Sequence, residues 1–356
     1  MGPVSYTHLC FTGNDVFSDI SNEDAAQYEE WIGREPCLWW NYPVNDNDDN
    51  VFYTCPIDSF YSQDSDISNF AGIISNPMNF EEASKVAFFA IADYSWNPGA
   101  FNAQQNWNHC FDSIIPDDPE MAEALQVVYG CLNKRVEPMK LRKLYNQYKS
   151  EAGTGSTEAA VALRDKMAEI IDSIGKIETL KDSENPAYRL LVSEAQTSMN
   201  KLYDMAVTIK GVLNATLETD PLTIYQGYYS ARLAYDRLNI VENPRYEMTS
   251  LEGAGEEITV NKLSAVPSDT YMRPFVDYII GELDTVELPD LDPSLAGVKS
   301  VTITSGDDQV KQGETGQYSA SVVAEREDAV EVVWSVEGNT DKTVSYTHLD
   351  VYKRQL

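Results

Sequence analysis

The sequence predicts three successive textures, α/β, then all-α, then β, and three observations carry that prediction. Over residues 10–115, short apolar runs end in polar clusters and lead into a helical pattern. Over 116–290, apolar residues recur at three- and four-residue steps behind capped helix starts. After Pro289-Asp290-Leu291-Asp292-Pro293, a linker-like stretch, the apolar period becomes two.

In the first region, Pro36-Cys37-Leu38-Trp39-Trp40 leads into Asn41-Tyr42-Pro43-Val44-Asn45-Asp46, and Phe70-Ala71-Gly72-Ile73-Ile74 leads into Ser75-Asn76-Pro77-Met78. A helix then follows. Asn79 and Glu82, three residues apart, fit a capping box. Ala83, Val86, Ala87 and Ala90 make a buried stripe, and Asn97-Pro98-Gly99 stops the helix. Strand, polar loop, helix is the grammar of a βα unit that displays its polar side chains at the carboxyl ends of the strands.

The second region opens helices with one repeated device. Asp118-Pro119, Asn185-Pro186 and Asp220-Pro221 each place a capping side chain before a proline at the first helical position. Leu191, Ala195, Met199, Leu202, Ala206, Ile209 and Leu213 form one face of a long helix, and a helical bundle is expected. Gly153-Thr154-Gly155-Ser156-Thr157 lacks the Gly-Lys-Ser/Thr ending of a phosphate loop and reads as an interhelical connection. In the third region, Val298, Val301 and Ile303, then Tyr318, Ala320 and Val322, then Val330, Val332, Trp334 and Val336 alternate, with Gly313 and Gly316 between. This is similar to a bacterial immunoglobulin-like module with Trp334 turned inward. At 297–343 it is shorter than the roughly 100 residues a sandwich needs, so a truncated sandwich is expected.

Composition narrows the function. The chain has 356 residues and a formal net charge of −31. That charge argues against nucleic acid, whose phosphates require clustered Lys and Arg, and mildly against polyanionic glycans. A neutral sugar is more compatible. No apolar run is long enough for a membrane span. The three histidines are His8, His109 and His348. With two of them near the ends, a catalytic triad or multi-histidine zinc site is not expected, and His109 beside Trp107 reads as a packing residue. Cys10, Cys37, Cys55, Cys110 and Cys131 form no CxxC pair, so mostly free thiols are expected, with a Cys37–Cys55 bridge as the other arrangement.

The two ends share a string. Val4-Ser5-Tyr6-Thr7-His8-Leu9 is identical to Val344-Ser345-Tyr346-Thr347-His348-Leu349. A single identity at the two extremes is no solenoid repeat, and it resembles translated sequencing adapter. Residues 1–9 and 344–356 are therefore set aside as artefact. On that reading both natural ends are missing, and the lack of a signal peptide says nothing about secretion. The expected organisation is then 10–115, 116–290 and 297–343.

Trp39-Trp40-Asn41-Tyr42-Pro43-Val44-Asn45-Asp46 is the segment richest in chemistry. A tryptophan face suits the apolar side of a pyranose or an acetamido methyl group. An asparagine and an aspartate five apart at a strand end can clamp sugar hydroxyls. A buried structural turn is the other reading of the same residues.

Five motifs in order give a resemblance. Phe11-Thr12-Gly13, the Trp39–Asp46 segment, Ser75-Asn76-Pro77-Met78, Ala83-Ser84-Lys85 and Tyr94-Ser95-Trp96-Asn97-Pro98 together resemble glycoside hydrolase family 84, which holds O-GlcNAcases and clostridial enzymes named hyaluronidases. The resemblance covers about residues 10–110. It departs at Phe11, where the family usually has Trp before Thr-Gly. It implies a (β/α)8 barrel followed by a helical domain, with only the last strands, the sixth to eighth, present here. It also implies that Trp39 walls the N-acetyl pocket, that Asn41 lies near the sugar, that Asp46 holds the outer hydroxyls, and that Asn76 binds ring hydroxyls.

The family hydrolyses with retention by substrate assistance: the substrate's acetamido oxygen attacks the anomeric carbon, so no enzyme nucleophile is needed, unlike the usual two-carboxylate arrangement. Two adjacent aspartates polarise the acetamide and act as general acid and base. In the family they lie upstream of the Trp-Trp-Asn motif. Asp48-Asp49, Asp117-Asp118 and Asp307-Asp308 do not occupy that place, so no catalytic residue is carried over, and the fragment alone is expected to be inactive, with a poorly folded barrel part. No metal or other cofactor is implied.

The partners implied are N-acetylglucosamine-containing glycans or glycoproteins, met outside the cell or at a bacterial surface. The competing readings are a hyaluronidase and a non-catalytic glycan-binding adhesin.

Overall fold

The structure is a computed structural model that describes residues 10–254 and 257–289 with the strand segments 298–305, 319–324, 330–333 and 352–355. Three parallel strands open the chain: β1 (Cys10–Phe11), β2 (Cys37–Pro43) and β3 (Gly72–Asn76), in the order β1-β2-β3. The crossover from β1 to β2 carries α1 (Asn22–Ile32), whose N-terminus is capped by Ser21 through the Asp24 N–H. Gly13 takes a left-handed φ of 90°, and a Cβ there would lie 2.5 Å from the Ser18 Cβ. Only glycine fits that turn.

After β3 come α2 (Ser84–Trp96) and α3 (Ala103–Ile114). The alternation along β2 decides which residues meet α2. Leu38, Trp40 and Tyr42 are each 1% exposed and share a core with Ala87, Ala90, Ile91 and Tyr94 of α2. Trp39 and Asn41 point to the opposite face, as period two requires.

The helical region follows as α4 (Pro119–Leu132), α5 (Leu141–Glu151), α6 (Glu158–Glu178), α7 (Pro186–Leu217) and α8 (Pro221–Leu238). All seven expected stripe residues of α7, from Leu191 to Leu213, are fully buried. Asp118, Asn185 and Asp220 accept hydrogen bonds from the N–H groups of Met121, Ala187 and Thr223, at 3.0, 3.0 and 2.9 Å, so the three Asx-Pro starts are as read. Where α7 meets α8, a Cβ on Gly211 would stand 2.6 Å from the Gly227 carbonyl, and one on Gly227 would stand 2.6 Å from the Gly211 carbonyl. The two helices touch backbone to backbone there. The 153–157 segment is an interhelical connection between α5 and α6.

Three local readings need correction. The stretch 116–290 is not wholly helical: β4 (Glu247–Ala254) and β5 (Glu257–Ser264) pair antiparallel before α9 (Met272–Ile279). Thr249, Ile258, Thr259 and Val260 supply the β-branched residues that favour strands. Asn79 does not cap α2. The helix begins after Ala83 without a side-chain cap of its own, and the Glu194 carboxylate on α7 accepts from the N–H groups of Glu82 and Ala83 at 3.0 and 3.1 Å. His109 is no packing residue: its side chain is 75% exposed on α3, 3.9 Å from Asp112. Trp107 and Cys110 hold the buried face of that helix instead.

All five cysteines are free, so the Cys37–Cys55 pairing does not form. Burial pushes the Cys110 and Cys131 thiols up to about 12, and both are inert at neutral pH.

One compact unit runs to Leu217 and resumes at Gly227–Val286; a second holds Glu218–Gln226 and the chain beyond Glu287. In the first unit, Phe52, Met78, Phe80, Ala83 and Val86 share one core with α4, α6 and α7. In the second, β6 (Val298–Ser305) pairs antiparallel with β7 (Ser319–Ala324), and β8 (Val330–Val333) with β9 (Tyr352–Gln355), which falls inside the 344–356 stretch read as adapter sequence and carries no argument about the domain. Trp334 and Asp307-Asp308 lie outside the described residues. No helix among the described residues is long and apolar enough to cross a membrane.

Candidate functional site

Trp39 and Asn41, two apart on one face of β2, meet Asn76, the last residue of β3. The Trp39 Nε1–H donates to the Asn41 Oδ1 at 3.0 Å, and the Asn76 Nδ2 donates to the same oxygen at 3.0 Å. The Asn41 Nδ2 donates to the Val16 carbonyl at 2.8 Å, which ties the cluster to the loop after β1. One amide therefore organises the other two groups, and its carbonyl oxygen already holds two donors. The Trp39 ring remains 42% exposed.

The register explains how Asn76 comes within reach. Trp40 pairs with Ser75, but Asn76 pairs with Pro43, so the ladder is irregular between Trp40 and Pro43. The Tyr42–Pro43 peptide is cis in this stretch. The Ser75 hydroxyl donates to the Tyr42 carbonyl at 2.7 Å and closes the irregularity.

Asp46 lies on the turn beyond β2 and is exposed. No hydrogen bond among those described links it to the trio. Its turn is nevertheless fixed, by Asn45, which sequence reasoning passed over. Asn45 is 3% exposed. Its Nδ2 donates to the Asp49 and Val51 carbonyls at 3.2 and 3.1 Å and to the Asn79 Oδ1 at 2.9 Å. Its Oδ1 accepts from the Asn79 N–H at 3.0 Å.

Residues from far along the chain complete the support. The Ser250 hydroxyl donates to the Asp49 carboxylate, and the Asn50 Nδ2 donates to the Ser264 carbonyl at 2.6 Å, so the β4–β5 hairpin holds the same turn. The Asn133 Nδ2 donates to the Phe52 carbonyl at 2.7 Å. Tyr53 follows the turn, and burial, with the Asp48 charge second, pushes its hydroxyl above the ordinary tyrosine value. No cluster of three metal-ligating side chains occurs among the described residues.

Amides and a part-exposed indole displayed on parallel strands, with helices behind, are the arrangement in which α/β folds present polar groups to small ligands. The comparisons make the class narrower. A family model described as beta-N-acetylglucosaminidase matches residues 5–129. The solved structure of CpGH84D resembles this chain with a TM-score of 0.63 at 22% identity, over 78% of this chain and 45% of that one. CpGH84B gives 0.57 at 20% identity, over 76% and 44%. An O-GlcNAc hydrolase mutant from Thermobaculum terrenum gives 0.56 at 18%, over 77% and 54%. The matched region spans about half the length of each of these proteins. The resemblance to glycoside hydrolase family 84 holds, and the mostly helical architecture with small sheets is similar to that of its enzymes.

Proposed function

We propose that residues 10–115 are the last strands of a (β/α)8 barrel in a retaining exo-β-N-acetylglucosaminidase, and that this chain is a C-terminal part of that enzyme. The observation that carries this reading is the hydrogen-bonded trio Trp39, Asn41 and Asn76 on parallel strands, inside the segment that matches the family model. The coverage of about half of each matched structure supports a longer parent.

The four residues divide the work. Trp39 offers an apolar wall to the acetamido methyl group and limits how that group can turn. Asn41, with its carbonyl oxygen already shared by two donors, fixes Trp39 and Asn76 in place. The Asn76 amide and the Asp46 carboxylate are left to meet the sugar hydroxyls. In substrate assistance the acetamido oxygen attacks the anomeric carbon while a general acid protonates the leaving oxygen, and water then opens the oxazoline. Orientation of the acetamido group by a rigid wall is therefore a direct contribution to rate. The adjacent aspartates belong to an earlier strand of the parent, and this chain alone is inactive. The intact protein acts outside the cell or at a bacterial surface on glycans or glycoproteins that end in N-acetylglucosamine.

A titration followed through isotope-labelled tryptophan indoles tests the pocket. N-acetylglucosamine is expected to shift the Trp39 indole resonance more than glucose, which lacks the acetamido group, and Asn41→Ala is expected to abolish the shift. Equal shifts from both sugars, or none at Trp39, would refute the assignment.

A further inference from the structure

We infer a second sugar-binding site, for neutral oligosaccharides, in the cleft between α2 and α3. It does not rest on the strand-end reading, since the two places share no residue. Trp96 is the last residue of α2. A helix of that length carries it about 20 Å from the strand end where α2 begins.

The cleft has the parts that bind a pyranose. Its volume is about 590 Å³, within the roughly 300–1,000 Å³ of small-ligand pockets. Trp96 is 89% exposed, the most exposed large apolar side chain among the described residues, and it lines the cleft. An indole left in water presents the flat apolar surface on which the C–H face of a sugar ring stacks.

Beside it stand planar polar groups. Asn106 is 6% exposed, and its Nδ2 donates to the Asp93 Oδ2 at 2.9 Å. The Asn106 Oδ1 is buried without a partner among the described residues. That oxygen is closed to solvent, so the part Asn106 plays in the cleft is to hold the Asp93 carboxylate through the Nδ2 hydrogen bond. Asp93 and Gln105 also line the cleft and can accept from further hydroxyls. No Lys or Arg lines it, and with the chain at −31 an anionic ligand is disfavoured. The arrangement of one stacking ring, one carboxylate and several amides fits a neutral sugar.

The test uses the whole chain with isotope-labelled tryptophan and two soluble probes, chitotriose and cellotriose. At least one of them is expected to shift the Trp96 indole resonance at millimolar concentration, with saturation. Asp93→Ala is expected to weaken that binding at least about tenfold, the scale of one lost hydrogen bond to a charged group. A second variant removes the stacking ring. Trp96→Ala changes an exposed residue, so the melting temperature stays at the wild-type value while sugar affinity, read by calorimetry, falls at least about tenfold. Trp39→Ala leaves the Trp96 response unchanged, which separates this site from the strand-end cluster. The inference fails if neither probe moves the Trp96 resonance, if Trp96→Ala binds as tightly as wild type, or if Trp39→Ala alone removes the response.

Discussion

The strand-end layer and the helical core treat their side chains differently. On β2, Leu38, Trp40 and Tyr42 pack beneath α2 at 1% exposure, while their neighbour Trp39 is 42% exposed. On α7, even a carboxylate is enclosed: Asp204 is 0% exposed, held by the Arg237 Nε at 3.1 Å, the Arg245 Nε at 3.3 Å and the Tyr246 hydroxyl at 2.6 Å. A strand has two faces, and here one helix covers only one of them. The other face carries the polar trio. A long helix in a bundle is covered on most sides, so its polar residues are held by partners rather than offered to ligands. Stability is expected to concentrate in the second region, and recognition is proposed for the first.

The sharpest way to break this contrast is to remove Asp204. Asp204→Ala leaves two guanidinium groups without their shared carboxylate. It is expected to cost about 3 kcal/mol, the lower end for a broken buried pair, because both arginines keep solvent contact. Urea denaturation reads the loss, and a loss below about 1 kcal/mol would mean the cluster is screened like a surface pair. Gly211→Ala comes next. Its new methyl group meets the Gly227 carbonyl and the Ala231 backbone on α8, neither of which is a flexible side chain. Overpacking of this kind costs about 1–3 kcal/mol, and a melting curve that does not move would show that the helices can separate freely.

A smaller effect tests the link between the regions. Glu194→Ala removes the carboxylate that serves the start of α2 and should cost about 1 kcal/mol, as for a lost helix cap. The same carboxyl has a pH signature. Burial raises its folded-state value, against the N–H donors of Ala83 and Glu82, which pull the other way. A carboxyl raised on folding contributes stability that is fully present below its unfolded value, about 4.3, and is lost as pH rises through the folded value. The stability of wild type relative to Glu194→Gln is therefore expected to fall as pH rises through the upper carboxylate range. Parallel pH profiles for the two proteins would contradict this.

The smallest stability effect belongs to the recognition side. Trp39→Ala should change stability by no more than about 0.5 kcal/mol, as for an exposed position, while it removes the proposed acetamido wall. A large destabilisation would make Trp39 a core residue and weaken the division drawn above.

How far the sequence could be read follows the range of each interaction. The Asx-Pro helix starts and the α7 stripe are local patterns, and each is present as read. The Asn79–Glu82 capping box failed because a residue 112 positions away, Glu194, takes its place. Asn79 is engaged with Asn45 instead. Of the four candidate residues, Trp39, Asn41 and Asn76 come together through hydrogen bonds, while Asp46 stands apart on the turn. The supporting shell was not legible: Asn45 looks like any loop asparagine, and Ser250, Ser264 and Asn133 reach the turn across 81 or more positions. The β4–β5 pair was hidden by the helical pattern on either side of it.

Turnover by the parent reading frame is the most direct test of the central claim. The frame upstream of residue 10 is recovered, and the extended protein and this chain are both assayed on a chromogenic N-acetyl-β-glucosaminide. The account predicts hydrolysis by the extended protein and none by the chain alone. It also predicts a loss of about a hundredfold or more in kcat/KM for Asp46→Ala, as expected when buried sugar contacts made in the transition state are removed. An extended protein that binds but does not cleave the substrate, hydrolysis by this chain alone, or full activity in the Asp46 variant would contradict it.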